Sequence, residues 1–314
     1  MKLKLDFTFE SLQQPISYHS KMVFTGSCFA HHIHSKLSEL KFDAHFLGNG
    51  IVFHPIPMAV YLQVCIDETP FPEKYIFEHN GIWHSWLHHG SVWAMNKEDL
   101  LTTVNSQLKK DIECIKEAAI FVFTFGTSFG YEYLEEALHV ANCHKVPATN
   151  FSKTLSSFSD MQTVWNKTIE QLKNFNSKAQ FIFSVSPVKY LKDGIHQNNI
   201  SKANLLLLVD ELCKKYQSFY FPAFEILQDE LRDYRFYDED FSHPNQQAIA
   251  YIFEQFKLCC FDATSLSICK EIENLNSLLN HRVLHENSPA HLQLEANKSQ
   301  LKNALKLKYP YLKW

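Results

Sequence analysis

Five short apolar runs, separated by segments with helical character, constrain the fold of this chain most strongly. Each run has the length of a strand and is rich in β-branched or aromatic residues, and most are continuously apolar. Strands covered on both faces, as in parallel sheets, show this pattern. The runs therefore predict a buried parallel sheet built from residues 22–26, 42–47, 118–126, 179–187 and 218–224.

Helical patterns lie between and after these runs, so strand and helix alternate five times. Ser201 is a plausible cap for the fourth helix, and Pro244 suits the first turn of the fifth. The alternation predicts a three-layer α/β/α fold with ligands beyond the carboxyl ends of the strands. The predicted helices cover residues 28–40, 97–117, 156–175, 201–216 and 243–258.

Two segments interrupt the alternation. Residues 71–96 read as a short hairpin that turns at Asn80-Gly81, a dipeptide suited to two-residue turns. Residues 129–147 form a second excursion after the third strand. Both segments leave from the same side of the sheet, so we expect them to cover a pocket on that side.

The sequence changes character after residue 262. Residues 263–314 contain two polar, amphipathic helices whose apolar faces could pack on the main domain or on a second copy of the chain. We therefore predict an α/β/α domain over residues 1–262 and a helical extension over 263–314, with a homo-oligomer through the extension as one arrangement.

Charge and composition exclude several functional classes. A formal net charge of -4 and no basic stripe argue against nucleic acid as a partner. No segment has the apolar length of a signal peptide or a membrane span, which predicts a cytoplasmic protein without a membrane partner. The eight cysteines lack CxxC spacing, and His31 and His34 lack a third ligand, so neither a metal nor another cofactor is predicted.

The segment "FTGSCFAHHI" places two candidate nucleophiles at the end of the first strand and the start of a helix. A sharp turn exposes a side chain at this position, and the first amides of the helix favour negative charge there. Such amides can lower the pKa of a thiol toward neutrality. Cys28 and Ser27 are the two candidates. The alternative is that neither reacts and that Ser27 only caps the helix.

A second pair of residues far downstream completes a catalytic pattern. Asp240 and His243 lie three apart in "YDEDFSHPN", just before a predicted helix. A carboxylate at this spacing can orient the imidazole, which can then act as a base toward a nucleophile.

Eight ordered segments make the sequence resemble the GSCFA family of bacterial proteins, distant relatives of the SGNH or GDSL hydrolases. They are "FTGSCFA", "GNGIVFHP", "FTFGTSFGYE", "VANCHK", "FSVSPVKYLKDG", "NNISKANLLL", "YFPAFEI" and "DELRDYRFYDEDFSHPN". The resemblance implies a five-stranded parallel sheet of flavodoxin-like order and an Asp240–His243 pair in the last block. Aligning the superfamily's G-D-S-L motif with residues 26–29 places the nucleophile at Cys28, with Ser27 as the alternative.

The resemblance also implies an oxyanion hole, with one departure. Gly50 matches the glycine whose amide serves in the second block. The third block, Gly126-Thr127-Ser128-Phe129, lacks the asparagine of the superfamily, so the Ser128 hydroxyl or the Asn49 amide would have to replace it. Asn142 and His144, in the "VANCHK" segment, are candidates for the pocket wall.

These features predict an esterase or acyltransferase for a small or carbohydrate-linked acyl substrate. Cys28 would attack the acyl carbonyl, and a thioester would then pass to water or to another acceptor. The alternative is a non-catalytic sugar- or ligand-binding module on the same fold. For that alternative, the ring-binding side chains would be Trp83, Trp86, Trp93 and Tyr131.

Overall fold

The computed structural model describes residues 7–67, 70–281, 285 and 288–314. The strands are β1 (Met22–Gly26), β2 (Ala44–Phe46), β3 (Ile76–His79), β4 (Ile82–Ser85), β5 (Trp93–Ala94), β6 (Ile120–Phe125), β7 (Phe129–Tyr133), β8 (Leu138–Val140), β9 (Phe151–Leu155), β10 (Gln180–Val185) and β11 (Phe219–Tyr220). The helices are α1 (Cys28–Glu39), α2 (Pro55–Ile66), α3 (Lys97–Glu117), α4 (Phe158–Phe175), α5 (Ile195–Tyr216), α6 (Ala223–Glu225), α7 (Gln246–Cys260), α8 (Ala263–Leu279) and α9 (Pro289–Lys308).

The central sheet has five parallel strands in the order β11-β10-β6-β1-β2. Counted along the sheet's own strands this is the order 2-1-3-4-5, which is the flavodoxin-like arrangement. All five apolar runs contain one of these strands, so the predicted α/β/α fold class is confirmed. Strand β1 spans its whole run, and the other four strands are shorter than their runs because the run ends form the loops at the sheet edges.

Two apolar clusters cover the two faces of the sheet. All six residues of β6 are buried, which explains why its sequence is continuously apolar. On one face α2, α3, α4 and α5 pack together through residues such as Leu62 and Trp165. On the other face Leu37 of α1, Phe256 of α7 and Ile272 of α8 pack together. The protein therefore has the three layers that the sequence predicts.

The two excursions form small antiparallel sheets. Strands β3 and β4 are joined by Asn80 and Gly81, with φ angles of 53° and 78°, as a tight hairpin turn requires. Strand β5 extends this sheet, and β7, β8 and β9 form the second. The predicted hairpin is confirmed, and the second excursion proves to be a sheet of its own.

One long helix was not predicted, and two predicted helices begin at other residues. Helix α2 was not predicted, α5 begins at Ile195, and α7 begins at Gln246 with Asn245 as its cap. Ser201 therefore lies inside α5 rather than at its start, because the helix extends back to Gly194. Pro244 precedes the cap and forms an isolated bridge with Tyr237, so its predicted first-turn position is wrong.

The C-terminal helices pack on the main domain. Asp262 caps α8 by accepting a hydrogen bond from the Ser265 N–H at 2.5 Å. The apolar face of α8 and Leu305 of α9 belong to the same cluster as α1 and α7. A homo-oligomer through these helices stays a prediction. None of the helices within the described ranges is long and apolar enough to cross a membrane.

Candidate active site

A constrained turn connects β1 to α1. Gly26 has a φ of +151°, and a Cβ atom there would lie 2.6 Å from the carbonyl oxygen of Thr124 on the neighbouring strand β6. The Ser27 N–H donates to the same carbonyl oxygen at 3.2 Å. The turn thus needs glycine, and it sets Ser27 and Cys28 at the carboxyl edge of the sheet.

Cys28 is the first residue of α1 and is partly buried. Burial raises the pKa of its thiol, while the Phe29 and Cys28 N–H groups and the charge of Lys202 lower it; the net shift is upward. The predicted depression of the thiol pKa is therefore wrong, because loss of hydration outweighs the helix amides. In the resting protein Cys28 is a thiol that needs a base.

Ser27 does not cap α1. Its side chain is 3% exposed, and its hydroxyl has no hydrogen-bond partner among the described residues. The capping role is therefore excluded by the geometry. Ser27 places an unpaired hydroxyl beside Cys28 at the wall of a pocket.

Asp240 and His243 form a close pair just before α7. The His243 Nδ1 atom lies 2.6 Å from Asp240 Oδ2, and the Ser242 and His243 N–H groups each donate to Asp240 Oδ1 at 2.9 Å. These backbone and side-chain hydrogen bonds lower the pKa of Asp240 to about 2. The carboxylate is therefore charged at neutral pH and fixes the orientation of the ring.

The loop that carries this pair crosses from the sheet edge toward its centre. Two strands separate β11 from β1, so the position of β11 alone does not bring His243 to Cys28. Instead the Lys189 N–H, in the segment after β10, donates to the Ser242 carbonyl at 3.0 Å. This bond ties the Asp240–His243 loop to the carboxyl end of β10.

Cys28 and His243 line one pocket of about 320 Å³ at the carboxyl ends of β1, β6 and β10. This is the edge at which open α/β sheets bind ligands. The lining residues are Ser27, Cys28, Ile51, Phe53, His89, Gly126, Thr127, Ser186, Val188, Lys189, Tyr190 and His243. No carboxylate is among them, and Asp240 stands behind His243.

The second-block residues support the pocket without lining it. The Gly50 N–H donates to the Leu47 carbonyl at 3.0 Å, and Gly50, with a φ of +77°, packs against His89. Asn49 is fully buried, and its Nδ2 faces the Leu87 carbonyl at 3.5 Å. Because the Gly50 amide already has an acceptor and Asn49 points inward, neither donor faces the pocket in this conformation.

Ser128 is also turned away from the pocket. Its hydroxyl donates to the carbonyl oxygen of Ser201 on α5 at 3.2 Å, and its N–H donates to the Ser201 hydroxyl at 2.8 Å. Thr127, one residue earlier, lines the pocket instead. The third block therefore holds α5 against the sheet.

Asn142 and His144 lie under the first small sheet. Asn142 Oδ1 accepts the His144 N–H at 2.7 Å, and His144 Nε2 is 2.9 Å from the Ser85 carbonyl. Burial lowers the pKa of His144 to about 4. Both residues stabilise this region, and neither contributes to the pocket lining.

The tryptophans considered for ring binding are also outside the pocket. Trp86 is buried and stacks on Phe77 with ring centroids 3.5 Å apart, whereas Trp93 is 53% exposed. Trp83 lies on β4 beneath the ammonium group of Lys97. Only Tyr131 of this set approaches the lining, since its hydroxyl lies 3.2 Å from that of Tyr190.

Two residues that sequence reasoning did not assign support the site. Lys202, on α5, is 2% exposed, and its Nζ atom donates to the Gly126 and Ser186 carbonyls at 2.6 and 2.7 Å. Asp111, on α3, accepts the Gly48 N–H at 2.8 Å and so holds the turn that precedes Gly50. The only sequence signal for Lys202 is a lysine in the middle of an otherwise leucine-rich helix.

The histidines of α1 are not joined by a third metal-binding side chain among the described residues. The rings of His31 and His34 are 6.0 Å apart, and His34 Nε2 is 3.2 Å from the Ala44 carbonyl. Across the part of the chain that the structure describes, no three metal-binding side chains of His, Cys, Asp or Glu are grouped for an ion.

The fold and the site define an α/β/α protein with a cysteine and a carboxylate-oriented histidine at one pocket. Residues 21–256 match the sequence model of the GSCFA family, and the chain belongs to this family. The resemblance carried by its motifs is therefore confirmed. A comparison with curated protein sequences found no match.

Two solved structures with similarity to this chain are esterases. One is an acetyl xylan esterase (Est2A) from the rumen bacterium Butyrivibrio proteoclasticus, with 10% identity, a TM-score of 0.39, and coverage of 78% of this chain and 64% of that one. The other is a family two carbohydrate esterase from Clostridium thermocellum in complex with cellohexaose, with 13% identity, a TM-score of 0.36, and coverage of 83% and 67%. This chain thus spans about two thirds of their length.

Proposed function

We propose that this protein is an esterase or acyltransferase that uses Cys28 as its nucleophile. His243 serves as the general base and then the general acid, and Asp240 orients its ring. The substrate carries a small or carbohydrate-linked acyl group. The observation that carries the proposal is that Cys28 and His243 line one pocket while Asp240 holds His243 Nδ1 at 2.6 Å.

Because the pKa of the Cys28 thiol is raised, the thiol needs His243 to remove its proton. With Nδ1 bonded to Asp240, Nε2 is the ring nitrogen left to accept the thiol proton. The sulfur attacks the acyl carbonyl, and the tetrahedral intermediate collapses to a thioester as His243 returns the proton to the leaving oxygen. Water or another acceptor, deprotonated by His243, then attacks the thioester and releases the thiol.

The oxyanion of the intermediate needs hydrogen-bond donors other than Gly50 and Ser128. The Cys28 N–H, at the start of α1, is one such donor, because the first amides of a helix have no intrahelical acceptor. The Ile51 N–H is the second: Ile51 lines the pocket, and no described residue accepts a hydrogen bond from its amide. Helix α1 adds its positive N-terminal dipole.

The dimensions of the pocket favour a small acyl group. Its volume of about 320 Å³ is at the lower end of the range for ligand pockets. The His243 side chain is 47% exposed, so the leaving group or acceptor has room on the solvent side. This opening suits both hydrolysis and transfer to an alcohol, amine or thiol.

One observation favours a second candidate, a non-catalytic binding module. The Gly50 amide and the Ser128 hydroxyl are both satisfied within the protein. Losing one oxyanion donor elsewhere costs about 2.7 to 4 kcal/mol of transition-state stabilisation. A pocket without these two donors could bind an ester and fail to turn it over.

Turnover of an acyl-ester panel by the wild-type protein and four variants distinguishes the two candidates. We expect Cys28→Ala and His243→Ala to lower kcat about a thousandfold or more. Ser27→Ala should retain most activity, and Cys143→Ala, a partly buried cysteine outside the pocket lining, is the matched control. Full activity in Cys28→Ala would refute the mechanism. Binding of an ester to the wild-type protein without turnover would identify the binding module.

A further inference from the structure

Lys202 is a buried lysine directly beneath the candidate active site. It lies on α5 and is 2% exposed. Its two hydrogen-bond acceptors, the carbonyls of Gly126 and Ser186, belong to residues that line the pocket and follow β6 and β10. The side chain therefore reaches the carboxyl edge of the sheet from below.

A lysine in this position is costly to bury, and its surroundings offer one charged partner. An ammonium group without a nearby anion loses its proton readily in the protein interior. Burial lowers the pKa of Lys202 to about 7, and the single opposing influence is the charge of the Cys28 thiolate. Conversely, the charge of Lys202 lowers the pKa of Cys28. The two groups stabilise each other's charged forms.

The two carbonyl groups that bind Lys202 would disfavour a thiolate at Cys28 if no cation were bound to them. Carbonyl oxygens at the ends of β6 and β10 place partial negative charge under the pocket, which opposes formation of a thiolate at Cys28. The Lys202 Nζ atom donates hydrogen bonds to both oxygens, so its positive charge offsets their partial negative charge. No carboxylate within the described residues forms an ion pair with it.

We propose that Lys202 is a positioning residue that stabilises the Cys28 thiolate from below the pocket while it joins the ends of β6 and β10. The proposal rests on the proposed role of Cys28 as nucleophile. His243 removes the thiol proton, and Lys202 holds its own proton and lowers the energy of the resulting sulfur anion. Lys202 does not touch the substrate.

The alternative is a purely structural role, in which Lys202 only satisfies two buried carbonyls. The pH dependence of Cys28 alkylation separates the two roles, because a structural bond changes reactivity equally at every pH. An electrostatic effect appears only where Lys202 carries its proton. This measurement needs no substrate, so it can succeed or fail independently of the esterase activity.

The test compares iodoacetamide alkylation of Cys28, read by peptide mass spectrometry, in wild type and Lys202→Met. At about pH 6, where Lys202 is protonated, we expect Lys202→Met to react about fivefold more slowly than wild type. Above about pH 9, where Lys202 is neutral, the two rates should converge. The matched control is Lys257→Met, which removes a buried lysine that is paired with Glu254 and Glu273. Equal rate ratios at both pH values, in folded protein, would overturn the proposal.

A reciprocal measurement on Lys202 itself covers the case in which Lys202→Met does not fold. NMR of lysine labelled at Cε should show one side chain titrating near pH 7 in the wild-type protein. In Cys28→Asp, which carries a negative charge where the thiolate would form, that midpoint should move to higher pH. The same midpoint in both proteins would contradict the proposed pairing.

Discussion

The Nδ1 atom of His243 lies 2.6 Å from Oδ2 of Asp240, and the other carboxylate oxygen accepts two backbone N–H groups. This arrangement fixes the ring in one orientation and leaves Nε2 as the free nitrogen. Because Asp240 has a pKa of about 2, its charge persists through the neutral and mildly acidic range. The pair is therefore preformed before a substrate binds.

We expect Asp240→Asn to lower kcat by about a hundredfold or more, because an amide cannot stabilise the protonated imidazole. Binding of the substrate should change little, since Asp240 does not line the pocket. Steady-state kinetics on the best ester of the panel measures both quantities. The matched control is Glu239→Gln, an exposed carboxylate next in the chain. Equal losses in the two variants would show that the loop charge, rather than the pair, matters.

Two helix-start serines should differ in their contribution to stability. Ser157 caps α4 by accepting the Asp160 N–H at 3.1 Å, so Ser157→Ala should cost about 1 kcal/mol of unfolding free energy. Ser27 makes no cap bond and buries an unpaired hydroxyl, so Ser27→Ala should be close to neutral, within about 0.5 kcal/mol. Urea unfolding of both variants tests this. A larger loss in Ser27→Ala than in Ser157→Ala would contradict the geometry of the turn.

Asp111→Ala should destabilise the protein by about 3 kcal/mol. The Asp111 carboxylate is fully buried and bonds to the Tyr61 hydroxyl at 2.8 Å, to His45 Nε2 at 2.6 Å and to the Gly48 N–H at 2.8 Å. Its removal leaves these groups unpaired. The measurement is urea unfolding, with Glu113→Ala on the exposed face of α3 as the control. A loss no greater than that of the control would show that the network contributes nothing net.

Stability should fall as the pH drops below about 6.5, because three buried histidines are neutral in the fold. Burial lowers the pKa of His54 and His88 to about 3 and that of His144 to about 4. The unfolded chain therefore binds more protons than the folded one between these values and about 6.5. At about pH 5 each histidine should cost on the order of 2 kcal/mol relative to neutral pH.

Urea unfolding at pH 7 and pH 5 measures this dependence. His88→Gln removes one of these groups and should reduce the difference between the two pH values by about 2 kcal/mol. His196→Gln, at an exposed position, is the control. An identical pH dependence in wild type and His88→Gln would exclude this origin of acid sensitivity.

The central sheet could be predicted from local patterns alone. Strands such as β6 are buried on both faces, so their sequence is continuously apolar, and the Asn80-Gly81 turn follows from backbone conformation. Helix α2 could not be predicted in this way, because it is apolar nearly all round and has no amphipathic period. Its prolines are compatible with the first helical turn.

The nucleophile and the Asp240–His243 pair could be proposed because each follows a recognisable break between elements. The oxyanion donors could not be predicted from the sequence. Whether the Gly50 N–H and the Ser128 hydroxyl face the pocket depends on the acceptors that folding brings to them. The rise in the pKa of Cys28 likewise depends on burial, which no local pattern reports. Lys202 was missed because a single lysine in a helix normally faces solvent.

Peptide mass spectrometry after brief exposure to p-nitrophenyl acetate shows which residue takes up the acyl group. We expect an acetyl group on Cys28 in the wild-type protein, none at this position in Cys28→Ala, and acylation about a hundredfold slower in His243→Ala. An acetyl group on Ser27 instead, no adduct on either residue, or equal acylation rates with and without the His243 imidazole would contradict it.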